Sequence, residues 1–291
     1  MSKNLIISGF SDEISSNFDE QLQVVRQLGM SYISLRGIDG KNINEYSIEE
    51  VETSILPRLK SYGVKVSSIG SPIGKIFIDD EEGFSKQLDD LERLCKICHL
   101  LDCQYIRMFS FYIAKDKNYD DYKDLVVKKL KNFTQIAEKH NIILLHENEK
   151  DIYGDIGRRC KVLFDEVNSK HFKAIFDFAN FVQCKEDVMD CYNMLKQDVV
   201  YFHIKDATTS DNQNVVCGTG EGRIEEILKI AINDGYEGFL TLEPHLVIFD
   251  SLKDLELEDV TEIIKDNKNL EGKDGYKLQY DALNQILNNI C

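Results

Sequence analysis

The sequence predicts a single (β/α)8 barrel. Eight β-rich runs recur at intervals of roughly 27 to 40 residues. Amphipathic stretches separate them, and the 291-residue length suits a fold that commonly needs about 250 residues. The runs are NLIISGF (4–10), SYISLRG (31–37), VKVSSIG (64–70) and CQYIRMFSF (103–111), followed by NIILLHE (141–147), FKAIFDF (172–178), VVYFHIKD (199–206) and GFLTLE (238–243). Between them, Phe18, Leu22, Val25 and Leu28 form one helical stripe, and Leu130, Phe133, Ile136 and Ala137 form another. Gly29, Gly63, Asn141 and Gly235 stand where helices give way to strands, as residues that tolerate a left-handed turn do.

An open doubly wound sheet is the main competitor. No G-x-G-x-x-G follows the first run, and the number of strands favours a closed barrel. No linker rich in Pro, Gly or Ser divides the chain, so residues 1–291 read as one domain. The charged segment 248–273 is expected to form an extended loop or short helix over the barrel mouth, before a final helix at 275–290.

Composition narrows the function. Hydrophobic residues at 43% and only 3 prolines describe a globular chain. The start, MSKNLIIS, lacks a charged leader with an apolar core, so no signal peptide is expected. No apolar run approaches the roughly 20 residues of a membrane helix. The formal charge of −16 repels phosphate backbones and anionic membranes, which argues against both as partners. The 8 cysteines are scattered, as in a reducing cytoplasm. Cys95, Cys98 and Cys103 include a C-x-x-C, but no second pair completes a tetrahedral site, and they continue an apolar helical face. They read as packing residues.

In such a barrel the chemistry lies at the carboxyl ends of the strands. The fifth run ends on Glu147, the sixth offers Asp177, the seventh His203 and the eighth Glu243. Side chains alternate across a strand, so Glu147 and His146 face opposite ways, while His203 and Lys205 share a face. A lone acid at a strand end is usually a helix cap or a surface ion pair; four candidates on four consecutive strands converge. Three carboxylates and an imidazole make a hard site suited to one divalent ion, Mn, Mg, Co or Zn, with positions left for substrate oxygens.

These residues lie in HENE (146–149), DFANF (177–181), HIKDA (203–207) and LTLEPH (240–245). Together with GFSDEI (9–14) and VSSIGSPIGK (66–75), the ordered set resembles the xylose-isomerase-like TIM barrels that include sugar-phosphate isomerases and epimerases. The resemblance implies that Glu147, Asp177, His203 and Glu243 hold one divalent metal and that Glu147 and Glu243 act as acid and base. It further implies a small carbohydrate substrate and a frequent dimer or tetramer that closes the barrel mouth. A proton taken from carbon beside a carbonyl leaves an enediolate, whose charge a metal would stabilise.

Asn180, Lys205, Asp206, Arg107 and Arg36 are expected around the substrate. For Lys205 and Asp206 a structural ion pair is an equal alternative, and for Asn180 a helix cap; at least one arginine is expected to pair with the acidic shell. His146 and His245 read as supporting or packing residues, and Glu149 as facing solvent or a loop. CGTGEGRIEEIL (217–228) places glycines ahead of a helix, where many barrels bind phosphate. Glu221 would repel a phosphate, and a plain turn is the preferred reading.

An isomerase or epimerase of a small sugar, sugar phosphate or hydroxy-keto acid therefore leads. Dehydration of a keto-inositol on the same site is the main alternative. An apurinic-site endonuclease would need more than 6 histidines and basic loops. A binding protein without turnover would not need the intact ligand set.

Overall fold

The computed structural model describes residues 4–249 and 270–290. Eight parallel strands form the barrel: β1 (Leu5–Gly9), β2 (Tyr32–Leu35), β3 (Lys65–Ile69), β4 (Tyr105–Met108), β5 (Ile143–Glu147), β6 (Phe172–Asp177), β7 (Val199–Ile204) and β8 (Gly238–Leu242). From β2 to β8 successive strands pair with one another, and β1 pairs with β8. The remaining seam, between β1 and β2, is closed by a parallel bridge from Phe10 to Ser34.

The principal helices pack outside: α1 (Phe18–Gln27), α2 (Leu56–Tyr62), α3 (Glu81–Leu100), α4 (Lys123–Lys139), α5 (Gly157–Val167), α6 (Val188–Leu195), α7 (Ile224–Asn233) and α8 (Gly272–Ile290). Phe18, Leu22 and Val25 on α1 and Leu130, Phe133 and Ala137 on α4 are fully buried, as their spacing predicts. Gly29, Gly63, Asn141 and Gly235 take φ values of 79°, 63°, 51° and 97°, the left-handed region that ends a helix. Among the described residues no helix is long and apolar enough to cross a membrane.

Three departures from the sequence reading matter. The second run leaves the barrel after Leu35 because Gly37–Ile38 folds into a hairpin with Lys41–Asn42. The fourth run stops at Met108, and the amides of Phe109, Phe111 and Tyr112 turn to the carbonyls of Ile73, Gly74 and Ile76. Residues 250–269, the greater part of the segment expected over the mouth, lie outside the described residues.

The barrel interior is stacked in layers, and these set the depth of the site. Leu145, Ile175 and Tyr201 form one inward cluster. The Tyr201 hydroxyl reaches Ser67, Ser68 and Thr241 at 2.9, 3.0 and 2.6 Å, and Ser8 and Ser34 extend the chain of hydroxyls. Two residues further along each strand, the same inward face presents Glu147, Asp177, His203 and Glu243. Tyr201→Phe should lower the unfolding free energy by about 2 kcal/mol, because buried hydroxyls lose their common partner. Urea denaturation checks this; an unchanged midpoint would show that the serines and Thr241 satisfy one another.

Candidate active site

Glu147, Asp177, His203 and Glu243 are at most 2% exposed. Each offers a ligand atom, and the four atoms lie within 4.8 Å of one another. His203 Nδ1 is 2.7 Å from Glu147 Oε1 and 3.2 Å from Glu243 Oε2. Asn148 ties two of the strand ends together: its side chain donates to the carbonyl of Asp177 and accepts that residue's amide. Asp177 uses Oδ1 to accept the amide of Asn180, capping a short helix (Phe178–Gln183), which leaves Oδ2 for the site.

This donor set fits a divalent cation. Glu147 Oε2, Asp177 Oδ2 and Glu243 Oε2 are buried and accept no hydrogen bond from the described residues. Hard carboxylate oxygens with one imidazole are ligands for such an ion. Without an ion, the site's charges must satisfy one another. Burial pushes the Asp177 carboxyl up to about 7 against the pull of Lys205. Burial also disfavours charge on His203, but the Glu147 and Glu243 carboxylates override it and hold the imidazole up at about 9. For Glu243 burial is again overcome, chiefly by Lys205 and His203, and its carboxyl sits well below the usual range.

Cationic side chains surround the carboxylates. Lys205 Nζ is 3.3 Å from Asp177 Oδ2 and 3.6 Å from Glu243 Oε2. Arg107 Nη1 is 3.3 Å from Glu147 Oε2 and 3.6 Å from Glu243 Oε1. Arg36 binds Glu243 Oε1 at 2.8 Å and also Asp12 and Glu13, so both arginines meet the acidic shell. The resulting pocket has ≈ 10 Å³ of free space, room for about one water molecule.

Two of the expected substrate contacts are placed elsewhere. Asn180 donates to the carbonyl of Asn148 and belongs to the capped turn below the site. Asp206 is fully buried and accepts the amides of Ala207, Gly218, Gly220 and Gly222. A Cβ on Gly220 would stand 2.4 Å from the Asp206 carboxylate, so the turn needs glycine there. The amides of this glycine turn are thus committed to the protein's own carboxylate.

His146 points outward, with Nε2 2.9 Å from Ser110 Oγ and its ring against Phe164 and Phe172; burial pushes it down to about 3. Glu149 does not face solvent: it pairs with Lys75 at 2.8 Å and lines the pocket. His245 Nε2 stands 3.6 Å from Glu243 Oε1 and 3.5 Å from Glu13 Oε1, and its amide donates to Glu13 Oε2. Burial pushes Glu13 up to about 8, with Arg36 opposing. Asp12, Glu13 and Lys75 were not singled out from sequence, and Glu149 was not placed at the pocket. All four lie outside the barrel strands, where no alternation announces direction.

A family model described as xylose isomerase-like TIM barrel matches residues 22–265. The chain belongs to this family. Its similarity to a 3-dehydroshikimate dehydratase of Bacillus anthracis is 21% identity over 217 residues, 74% of this chain and 75% of the relative. Among solved structures, a 3-keto-D-glucoside 4-epimerase from E. coli superposes with a TM-score of 0.69 at 16% identity, covering 99% of this chain and 100% of the other. The IOLI protein with a bound zinc atom gives 0.72 at 13% identity, covering 98% and 99%. At these identities the structural likenesses show the fold.

Proposed function

We propose that this protein is a divalent-metal-dependent isomerase or epimerase of a small hydroxylated carbonyl compound. The observation that carries this reading is the convergence of three buried carboxylates and one imidazole at the carboxyl ends of β5 to β8, with one oxygen of each carboxylate left without a hydrogen bond among the described residues. Glu147, Asp177, His203 and Glu243 would hold the ion. When bound, it would supply Lewis-acid stabilisation of the negative charge that develops on the substrate's carbonyl oxygen.

The chain's own residues supply the proton transfers. Glu147 and Glu243 are the acid–base pair: one takes the proton from the carbon beside the carbonyl, and the other returns a proton. Lys205, between Asp177 and Glu243, offers its ammonium to a substrate oxygen in the same pocket. The commitment of the Gly218–Gly222 amides to Asp206 supports an unphosphorylated substrate, since that cradle is filled. A sugar-sized molecule requires the pocket to widen on binding.

The test is hydrogen exchange in deuterated water. Metal-loaded protein, offered a panel of ketoses, their phosphates and hydroxy-keto acids, should exchange the hydrogen next to the carbonyl of its substrate. Glu147→Gln and Glu243→Gln should each suppress exchange by about 100-fold or more while melting near the wild-type temperature. Full exchange in both variants would refute the pairing.

The relative named as a dehydratase favours a second reading, loss of a β-hydroxyl as water after the same proton abstraction. Mass analysis separates the two: epimerisation conserves mass, whereas dehydration removes one water.

A further inference from the structure

We propose that the substrate carries a carboxylate, and that this group docks on the Nε–Nη2 edge of Arg107. This deepens the catalytic reading above and rests on it. Arg107 is 2% exposed and lies between two aromatic rings, its Cζ 4.9 Å from the centroids of both Phe10 and Phe109. One nitrogen, Nη1, faces Glu147 and Glu243. The other two, Nε and Nη2, are buried without a hydrogen-bond partner among the described residues.

Arg36 is the internal control. It sits in the same acidic shell, yet all three of its nitrogens are engaged, by Asp12, Glu13 and Glu243. The unmatched edge of Arg107 thus distinguishes it from Arg36, its neighbour in the same acidic shell. A buried donor without an acceptor is destabilising, and a ligand that supplies the acceptor recovers that loss. The edge that remains open is the one that meets a planar carboxylate with two parallel hydrogen bonds.

The surroundings favour an anion at this point. Lys75 packs on the same Phe109 ring, Nζ 4.5 Å from its centroid, and lines the pocket together with Arg107 and Lys205. These three cations line the pocket beside Glu147, Glu149 and Glu243. A divalent ion among the carboxylates would add positive charge there and favour an anionic substrate group further. The glycine turn offers no free cradle for a phosphate, which leaves a carboxylate as the anion we assign to this edge.

The experiment reads the Arg107 Nε–H signal by nitrogen–proton NMR in zinc-loaded protein, assigned through side-chain connectivities and by its loss in Arg107→Lys. Acetate is the probe, with sodium chloride at equal ionic strength and inorganic phosphate as comparisons. Acetate should move this signal saturably and chloride should not. Acetate affinity, read in both proteins by titration calorimetry, should fall at least roughly tenfold in Arg107→Lys, since lysine cannot offer the paired donors. No saturable shift, equal affinity in the variant, or stronger binding of phosphate at this signal would overturn the proposal. Zinc content is measured first by atomic emission. Protein that retains no zinc counts against the metal-dependent reading, while the acetate response of Arg107 in that sample still decides the clamp.

Discussion

Asp177→Asn should lower the affinity for a divalent ion at least ~100-fold while leaving the barrel folded. Losing a residue that merely supports a metal ligand typically costs 10–100-fold, and a direct ligand should cost no less. The substitution separates the helix cap that Asp177 makes from the metal contact proposed for it. Asn keeps an oxygen to accept the amide of Asn180, so the short helix behind the site stays capped. With that oxygen on the cap, the buried Oδ2, which accepts no hydrogen bond among the described residues, is replaced by an amide group whose donors face the cation. Asp177→Ala would lose the cap as well and confound the result. Thermal melts with and without metal provide a second readout. An ion at 100 times its dissociation constant stabilises the wild type by about 2.7 kcal/mol, and the variant should forfeit that increment at the same concentration. Chelator treatment of the wild type should reproduce the loss. Metal affinity within threefold of wild type would show that the four side chains gather for another reason.

The four candidate ligands were legible as inward-facing groups because each ends a strand whose interior face alternates. Leu145 precedes Glu147 by two residues, Ile175 precedes Asp177, Tyr201 precedes His203 and Thr241 precedes Glu243, so an inward core residue announces an inward polar group at the strand end. The same rule turned His146 outward. Arg36 and Arg107 were legible as groups near the acids, but not the difference between them, which depends on Asp12 and Glu13 reaching Arg36 from the loop after β1. Lys75 and Glu149 come from the loops after β3 and β5, where chain direction rather than periodicity decides the contact. Asp206 was left open between a substrate contact and a structural pairing for a related reason. It follows His203 and Lys205 on an apparently continuous strand, but β7 ends at Ile204 and Asp206–Ala207 turns into a small hairpin with Asn214–Val215. The usable signal was the alternation of Gly218, Gly220 and Gly222, which aims three amides at one point.

Asp206→Ala should destabilise the fold by about 4 kcal/mol, at the upper end of single-residue effects. The carboxylate accepts four amides, and hydrogen bonds to a charged group each contribute about 1.5–3 kcal/mol. Alanine leaves those donors around a small void; relaxation of the turn toward water recovers part of the loss, which keeps the figure below the simple sum. Asp206→Asn should cost roughly half as much, because one oxygen can still accept while the new amide group faces two donors. The damage should spread in a defined direction. The turn also anchors α8, where Gln279 accepts the amide of Cys217 and donates to the carbonyl of Ile204. Loosening it therefore frees the end of β7, the strand that carries His203. Urea denaturation measures the global effect, and hydrogen exchange should show the amides of residues 217–222 and the end of β7 losing protection together. A change below about 1 kcal/mol in Asp206→Ala would mean that the glycine turn holds its shape without an internal anion, leaving its amides free for an external one.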